Sequence, residues 1–251
     1  MQNKLPDLDF NKAAIFLDFD GTLVDLQPTP DAVIVSDSLR KMLLQLNEHT
    51  QHALALVSGR SIESIDQLLA LPDIAVSGSH GMQYRWESTQ SIQHHPQVSA
   101  VPDALVQQCQ QFCQQHGLLL EQKPLSIAIH YRSHPDMERQ VENFLSTLIG
   151  SATQLEIQTG KFIRELKPRG IDKASALAQF SQSSPFAGRI PWYFGDDVTD
   201  EHAFAWVKQH NGISVKIGDG DSCADYHLSS PQHVLEYFLK NLTSEEDYAR
   251  Q

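Results

Sequence analysis

The chain has 251 residues, 41% of them apolar, which excludes a disordered polymer and allows one large domain or two modest ones. Nineteen basic against thirty-one acidic residues give a net charge of -12, which disfavours broad contact with nucleic acid or an anionic membrane. No apolar run reaches the roughly eighteen residues of a membrane span, and MQNKLPDLDF lacks the basic and apolar regions of a secretory signal, so a soluble cytoplasmic protein, monomeric by its acidic surface, is expected.

The first elements alternate. AAIFLDF is an apolar run of buried-strand length, followed by the helix SDSLRKMLLQLNEH, with Ser36 or Asp37 as N-cap and Leu39, Leu43 and Leu46 at helical spacing. HALALVSGR is a second strand ending at Ser58-Gly59, SIESIDQLLAL a second helix, and DIAVSGSHG a third strand. This alternation predicts a parallel sheet with helices packed on it. From 82 to 166 the character changes. MQYRWES and SIQHHP read as short strands, PDALVQQCQQFCQQHG as a helix, LLLEQK and SIAIHYR as a strand pair, PDMERQVENFLSTLI as a helix, and QLEIQT and KFIREL as a second pair. Paired strands around two helices predict an open-faced α/β unit inserted into the first pattern. Cys109 and Cys113, four apart on the first of these helices, read as small core residues; with Cys223 the count is odd and no zinc spacing appears. The alternating pattern then returns with the helix IDKASALAQFSQ, the strand IPWYFGDD, the helix TDEHAFAWVKQ, the strand GISVKIG and the helix PQHVLEYFLKNL, before a polar tail, TSEEDYARQ, expected to fray.

In FLDFDGTL, Asp18 and Asp20 stand one residue apart, so a strand aims both carboxylates at one face. Two like charges held that close repel unless a proton or a cation separates them. In an open α/β sheet functional loops lie beyond the carboxyl ends of the strands. Four segments end there with polar groups: FLDFDGT in carboxylates, LALVSGR in a hydroxyl, the stretch after KPRG in Lys173, and WYFGDDVTDE in Asp196, Asp197, Asp200 and Glu201. Carboxylates from two strand ends make the oxygen-rich pocket that suits Mg2+. A serine and a lysine facing that ion suit phosphoryl oxygens. GKFIRELKPRGIDK adds a local basic segment, with Lys161, Arg164, Lys167 and Arg169 ahead of Lys173.

Taken in order, FLDFDGTL, LVSGR, Lys173 and GDDVTDE resemble the four motifs of the haloacid dehalogenase superfamily of aspartyl-phosphate phosphatases. SGSHGMQYR, EQKPLSIAIHYR, GKFIRELKPRGIDK and YFGDDVTDE are further similar to stretches of the compact bacterial trehalose-6-phosphate phosphatases. The matches run from Asp18 to Glu201. One departure is that Ala174 follows Lys173 where the family usually has glycine. The resemblance implies a Rossmann-like parallel-sheet hydrolase core (1–81 and 167–251) with an inserted α/β cap domain (82–166) that closes over the sheet and supplies sugar contacts. It implies Asp18 as nucleophile, Asp20 as general acid and then base, and Ser58 and Lys173 as phosphoryl ligands. Mg2+ would be held by Asp18, Asp20 through its main-chain carbonyl, and Asp196, which keeps Asp18 ionised and leaves the Asp20 side chain free to take a proton. Asp197 and Asp200 would act through the ion's water ligands or by orienting Lys173. Gly59, Arg60, His80, Glu121, Lys123, His130, Arg132, Lys161 and Glu165 are the implied substrate contacts, with trehalose 6-phosphate as the small-molecule substrate. The alternatives are another sugar phosphate, a sugar phosphomutase, or a non-catalytic phosphosugar-binding regulator; intact Asp18, Asp20, Lys173 and Asp196 speak against the last.

Overall fold

The structure is a computed structural model that describes residues 4–27, 29, 32–71, 73–87, 89–96, 98–123, 125–150, 154–160 and 162–249, with 244–249 described by their backbone. The chain divides into a larger unit, Met1–His95 with Asp172–Gln251, and a smaller one, Pro96–Ile171.

Among the described residues the larger unit is built on one eight-stranded sheet. In chain order its strands are β1 (Ala13–Leu17), β2 (Leu54–Val57), β3 (Ala75–Gly78), β4 (Gln83–Arg85), β5 (Gln93–His94), β10 (Ile190–Gly195), β11 (Ile213–Ile217) and β12 (Tyr226–Leu228), arranged in space as β12-β11-β10-β1-β2-β3-β4-β5. The run from β12 to β3 is parallel, and β4 and β5 add antiparallel at one edge. Residues 82–95 therefore extend the core sheet, whereas the sequence pattern had placed them in the insertion. Short strands such as QYR carry no local signal of which sheet they join, because the partner is set by non-local pairing.

Both faces of this sheet are apolar, as a parallel sheet flanked by helices requires. Ala13, Ile15 and Leu17 of β1 pack on one side with Leu39, Met42, Leu43 and Leu46 of α1 (Asp37–His49), Ile62, Ile65 and Leu69 of α2 (Ile62–Leu69), and Val234, Phe238 and Leu242 of α7 (Pro231–Ala249). Ala14 and Phe16 pack on the other side with Ala176, Leu177 and Phe180 of α5 (Lys173–Ser181) and Ala203, Phe204 and Val207 of α6 (Glu201–Gln209). Ser36 and Ser61 cap α1 and α2 by accepting from the third amide of each helix, which fixes where each begins beyond its strand. The tail expected to fray continues α7 to Ala249.

The smaller unit is a four-stranded antiparallel sheet, β6-β7-β9-β8 in space, from β6 (Leu119–Gln122), β7 (Ile127–His130), β8 (Leu155–Gly160) and β9 (Ile163–Pro168). Helices α3 (Asp103–His116) and α4 (Glu138–Ile149) cover one face, where Val106, Cys109, Phe112, Cys113, Val141 and Leu145 meet Ile127, Ile129, Leu155 and Leu166. Period-two alternation puts Glu121, Ala128 and Glu165 side by side in register on the opposite face. Cys109 and Cys113 are core residues, and burial pushes their thiols up to about 12 and about 11.

Candidate active site

The polar residues of the larger unit gather where the sequence motifs end. Asp18 follows β1, Ser58 follows β2 and Asp196 follows β10, three adjacent strands all presenting their carboxyl ends. Lys173 is the first residue of α5, whose N-cap Asp172 forms a reciprocal capping box with Ser175. Lys173 is 3% exposed and Asp18 4%, so this chemistry is held out of bulk water. The lysine Nζ donates to Asp18 Oδ1 at 2.7 Å and to Asp200 Oδ1 at 2.6 Å. Burial alone would lower the lysine's pKa, but the two carboxylates outweigh it and hold the ammonium above the usual lysine range.

Asp18 shows the opposite balance. Burial raises its carboxyl well above the usual range, the nearby Asp200 and Asp196 add to the rise, and Lys173 only partly offsets it. Burial likewise raises Asp196, which lies close enough to hydrogen-bond Asp18. Oxygens of Asp18, Asp196 and Asp200 all lie within 4.8 Å of one another. Asp200 is nonetheless unsuited to hold an ion, because each of its oxygens already accepts two hydrogen bonds. Oδ1 takes Lys173 and Tyr193 (2.5 Å from the phenol oxygen), and Oδ2 takes the amides of Asp196 (3.0 Å) and Asp197 (2.9 Å). The oxygens that fit a hard divalent cation are therefore those of Asp18 and Asp196. Thr22 donates toward both, 3.4 Å from Asp18 Oδ2 and 3.5 Å from Asp196 Oδ1. Two glycines make room: a Cβ on Gly21 would sit 2.0 Å from Asp196 Oδ2, and one on Gly195 would sit 2.4 Å from the Asp200 carboxyl carbon.

Asp20 is brought to Arg60. The guanidinium grips it with two bonds, Nε to Oδ2 at 2.6 Å and Nη2 to Oδ1 at 2.8 Å, while lying over the Phe19 ring. The Arg60 amide also donates to Ser58 Oγ at 3.1 Å, leaving the buried hydroxyl its own proton to donate. His80 stands over this turn. Ser79, His80 and Gly81 are three consecutive residues with positive φ (51°, 55° and 99°), tied down by Ser79 N to Arg60 O (2.7 Å) and His80 N to Ser58 O (3.0 Å). The imidazole lies against Gly59, where a Cβ would come within 2.5 Å of it, so a larger residue there would displace the ring. Asp197 is exposed, and its amide and carboxylate close the turn with Asp200.

In the smaller unit, Glu165 accepts from Ser126 Oγ at 2.5 Å and from Lys123 Nζ at 3.0 Å, and Glu121 pairs with His130 Nε2 at 2.8 Å. The His130 bond outweighs partial burial and holds the Glu121 carboxyl below the usual range. Arg132 is exposed just after β7, and Lys161 lies outside the described residues. Arg164 and Lys167, read from the sequence as a basic segment, are structural. Arg164 ties β9 to Glu138 and Glu142 of α4 at 2.6 Å each, and Lys167 Nζ bonds the Ile171 carbonyl at 2.6 Å.

Three participants lie outside the residues marked by the motifs. Thr22 closes the FLDFDGTL turn. Tyr193 and Lys216 sit inside the mostly apolar strand runs IPWYFG and GISVKIG, where a phenol or an ammonium is the signal that could have marked them.

Parallel strands β10, β1 and β2 carry Asp196, Asp18 and Ser58 at their carboxyl ends, and Lys173 joins them from the start of α5, in an α/β fold with a parallel-sheet core. A haloacid dehalogenase-like hydrolase from Bacteroides thetaiotaomicron shares the fold, with TM-score 0.68, 17% identity, and 91% of this chain and 98% of that chain covered. The C-terminal domain of the C. albicans trehalose-6-phosphate phosphatase does so with TM-score 0.77, 20% identity, and 93% and 92% coverage. A family model described as trehalose-phosphatase matches residues 16–232. The trehalose-6-phosphate phosphatase of Escherichia coli (strain K12) is 38% identical over 231 residues, 90% of this chain and 85% of that protein. The chain belongs to the trehalose-phosphatase family, a family of hydrolase enzymes.

Proposed function

We propose that the protein hydrolyses trehalose 6-phosphate to trehalose and inorganic phosphate through a phosphoryl group carried transiently on Asp18, with Mg2+ as cofactor. The observation that carries this reading is the buried Asp18–Lys173–Asp200 chain at the strand ends, with Asp196 against Asp18. Phosphoryl transfer needs an in-line nucleophile, positive charge around the equatorial oxygens and a proton for the leaving alkoxide. Asp18 attacks phosphorus, the bond to the sugar oxygen breaks, and Asp20 in its acid form supplies that oxygen's proton. Asp20, now a carboxylate of the kind Arg60 grips in the structure, then takes a proton from the water that attacks the phosphorus of the aspartyl-phosphate, returning Asp18 as carboxylate.

Lys173 neutralises charge as it grows on the phosphoryl oxygens, and Ser58 donates its free proton to one of them. Mg2+, held by Asp18, Asp196 and the main-chain carbonyl of Asp20, supplies further charge stabilisation when bound. Gly59, Arg60 and His80 line the phosphoryl side of the substrate. Glu121, Lys123, His130, Arg132, Lys161 and Glu165 take the sugar hydroxyls, for which ionised groups are strong partners. A cytoplasmic monomer is part of this reading and is compatible with the net charge of -12; among the described residues no helix is long and apolar enough to cross a membrane.

The test is phosphate release from a panel of sugar phosphates with and without Mg2+, with Asp18→Asn run alongside. The expected result is Mg2+-dependent release from trehalose 6-phosphate that the variant loses. Equal release from many sugar phosphates would discard the sugar-contact assignments, and none from any of them would overturn the hydrolase reading of this site.

A further inference from the structure

A second buried lysine of the larger unit stands behind the carboxylate pair. Lys216 lies in β11 directly opposite Gly195 of β10, and its side chain leaves the sheet on the face away from Val215 and Ile217, which fill the core. It is 7% exposed, and its Nζ donates to the main-chain carbonyl of Asp196. The Asp196 amide donates to Asp200 Oδ2 at 3.0 Å, and the next amide, Asp197 N, donates to the same oxygen at 2.9 Å. Both peptide planes flanking the Asp196 Cα are thus pinned: the first by Asp200, the second by Asp200 from its N–H side and by Lys216 from its C=O side. With both planes fixed, the Cα–Cβ bond of Asp196 is fixed too, and its carboxylate lies toward Thr22 and in the space left by the missing Cβ of Gly21.

We infer that Lys216 is a positioning residue for the divalent-cation site, holding the Asp196 carboxylate in the orientation that meets Asp18; this rests on the proposed cation site. A competing role is charge offset alone. Lys216 lies near an acidic turn and helps hold Glu201 low, alongside the Cys223 and Ser222 hydrogen bonds that outweigh burial of that carboxyl. The two roles predict opposite signs. An ammonium acting only through its charge repels a bound cation, so removing it tightens binding. An ammonium that aims a ligand strengthens binding, so removing it weakens the site, by about tenfold on the scale usual for groups that orient metal ligands.

The experiment is Mn2+ binding to the full chain, followed by the electron paramagnetic resonance signal of free Mn2+, for wild type, Asp196→Asn and Lys216→Met. The expected result is binding by wild type, loss in Asp196→Asn, and about tenfold weaker binding in Lys216→Met with a metal-free unfolding midpoint close to wild type. Binding by Lys216→Met that is unchanged or tighter overturns the positioning role and leaves the cation site standing. Failure of wild type to bind Mn2+ overturns both. Should the methionine variant not fold, Lys216→Gln, neutral and one atom too short to reach the carbonyl, is judged by the same sign.

Discussion

Asp200 accepts four hydrogen bonds and is wholly buried, so it works as a fixed point from which Lys173, Tyr193 and the Asp196–Asp197 turn are hung. Burial and the neighbouring carboxylates push the Tyr193 phenol well above its usual range, so it remains a donor at any working pH. Removing that donor in Tyr193→Phe keeps the ring's edge-to-face contact with Phe204 but leaves Oδ1 to Lys173 alone. The lysine is then drawn from Asp18 toward Asp200. Steady-state kinetics should show kcat down by about tenfold with KM little changed, and stability lower by about 1–2 kcal/mol. Unchanged kcat would reduce Tyr193 to a packing residue. The carboxylates of this site were legible in the sequence because they cluster in the turns that follow two apolar strands, more of them than capping a turn requires. Tyr193 and Lys216 were not: Tyr193 meets Asp200 because the turn after β10 folds back along that strand, and Lys216 meets the Asp196 carbonyl because β11 pairs with β10. The pairing of Asp20 with Arg60, forty positions along the chain, is hidden for the same reason.

At the scale of elements, α5 matters through its first residue. Asp172 is extended (φ -147°, ψ -175°), accepts from Ser175 N at 3.0 Å, and gives its own amide to Ser175 Oγ at 3.1 Å, so the helix begins at Lys173 and nowhere else. Asp172→Ala removes the cap and should cost about 1 kcal/mol, or roughly 2–4 °C in the unfolding midpoint of a chain this size. Because the fraying turn carries Lys173, turnover should fall further than stability alone explains, while Asp172→Ser, which can still accept from the helix amide, should restore most of it. Turnover that merely follows the folded fraction in both variants would contradict this. Helices of this kind were legible from caps and 3.6-residue spacing, as the Leu39, Leu43 and Leu46 stripe shows. The short strands β4 and β5 were recognised as strands but placed in the insertion, since a three-residue and a two-residue strand fix no partner. The end of α7 was missed for want of apolar periodicity in TSEEDYARQ, a stretch whose Glu and Ala residues still favour a helix.

Across the whole molecule, two units with separate cores carry the titrating groups that set stability, and the sign of each can be worked out. Asp18 and Asp196 have folded-state pKa values raised above their unfolded ones. Below about pH 4 they are neutral in both states and contribute nothing. As pH rises, the unfolded chain ionises them freely while the folded chain resists, so the metal-free protein loses stability from them toward neutrality. Lys173 is also raised, so its contribution is full below the ordinary lysine value and is lost only above it, outside this window. Glu138 in the smaller unit is lowered by Arg164 and Tyr131, which favours folding above the ordinary glutamate value, but it is largely exposed and solvent screening leaves it a small opposing contribution. A bound divalent cation removes the repulsion between the two buried carboxylates and stabilises the folded state only where they are ionised. The unfolding midpoint should therefore rise on adding millimolar Mg2+, by a small increment near pH 4.5 and by a clearly larger one near pH 7.5. Taking the difference between the two scans at each pH cancels Glu138 and every other group remote from the site. An increment that is equal at both pH values, or larger at the lower one, would mean that the cation does not act through Asp18 and Asp196.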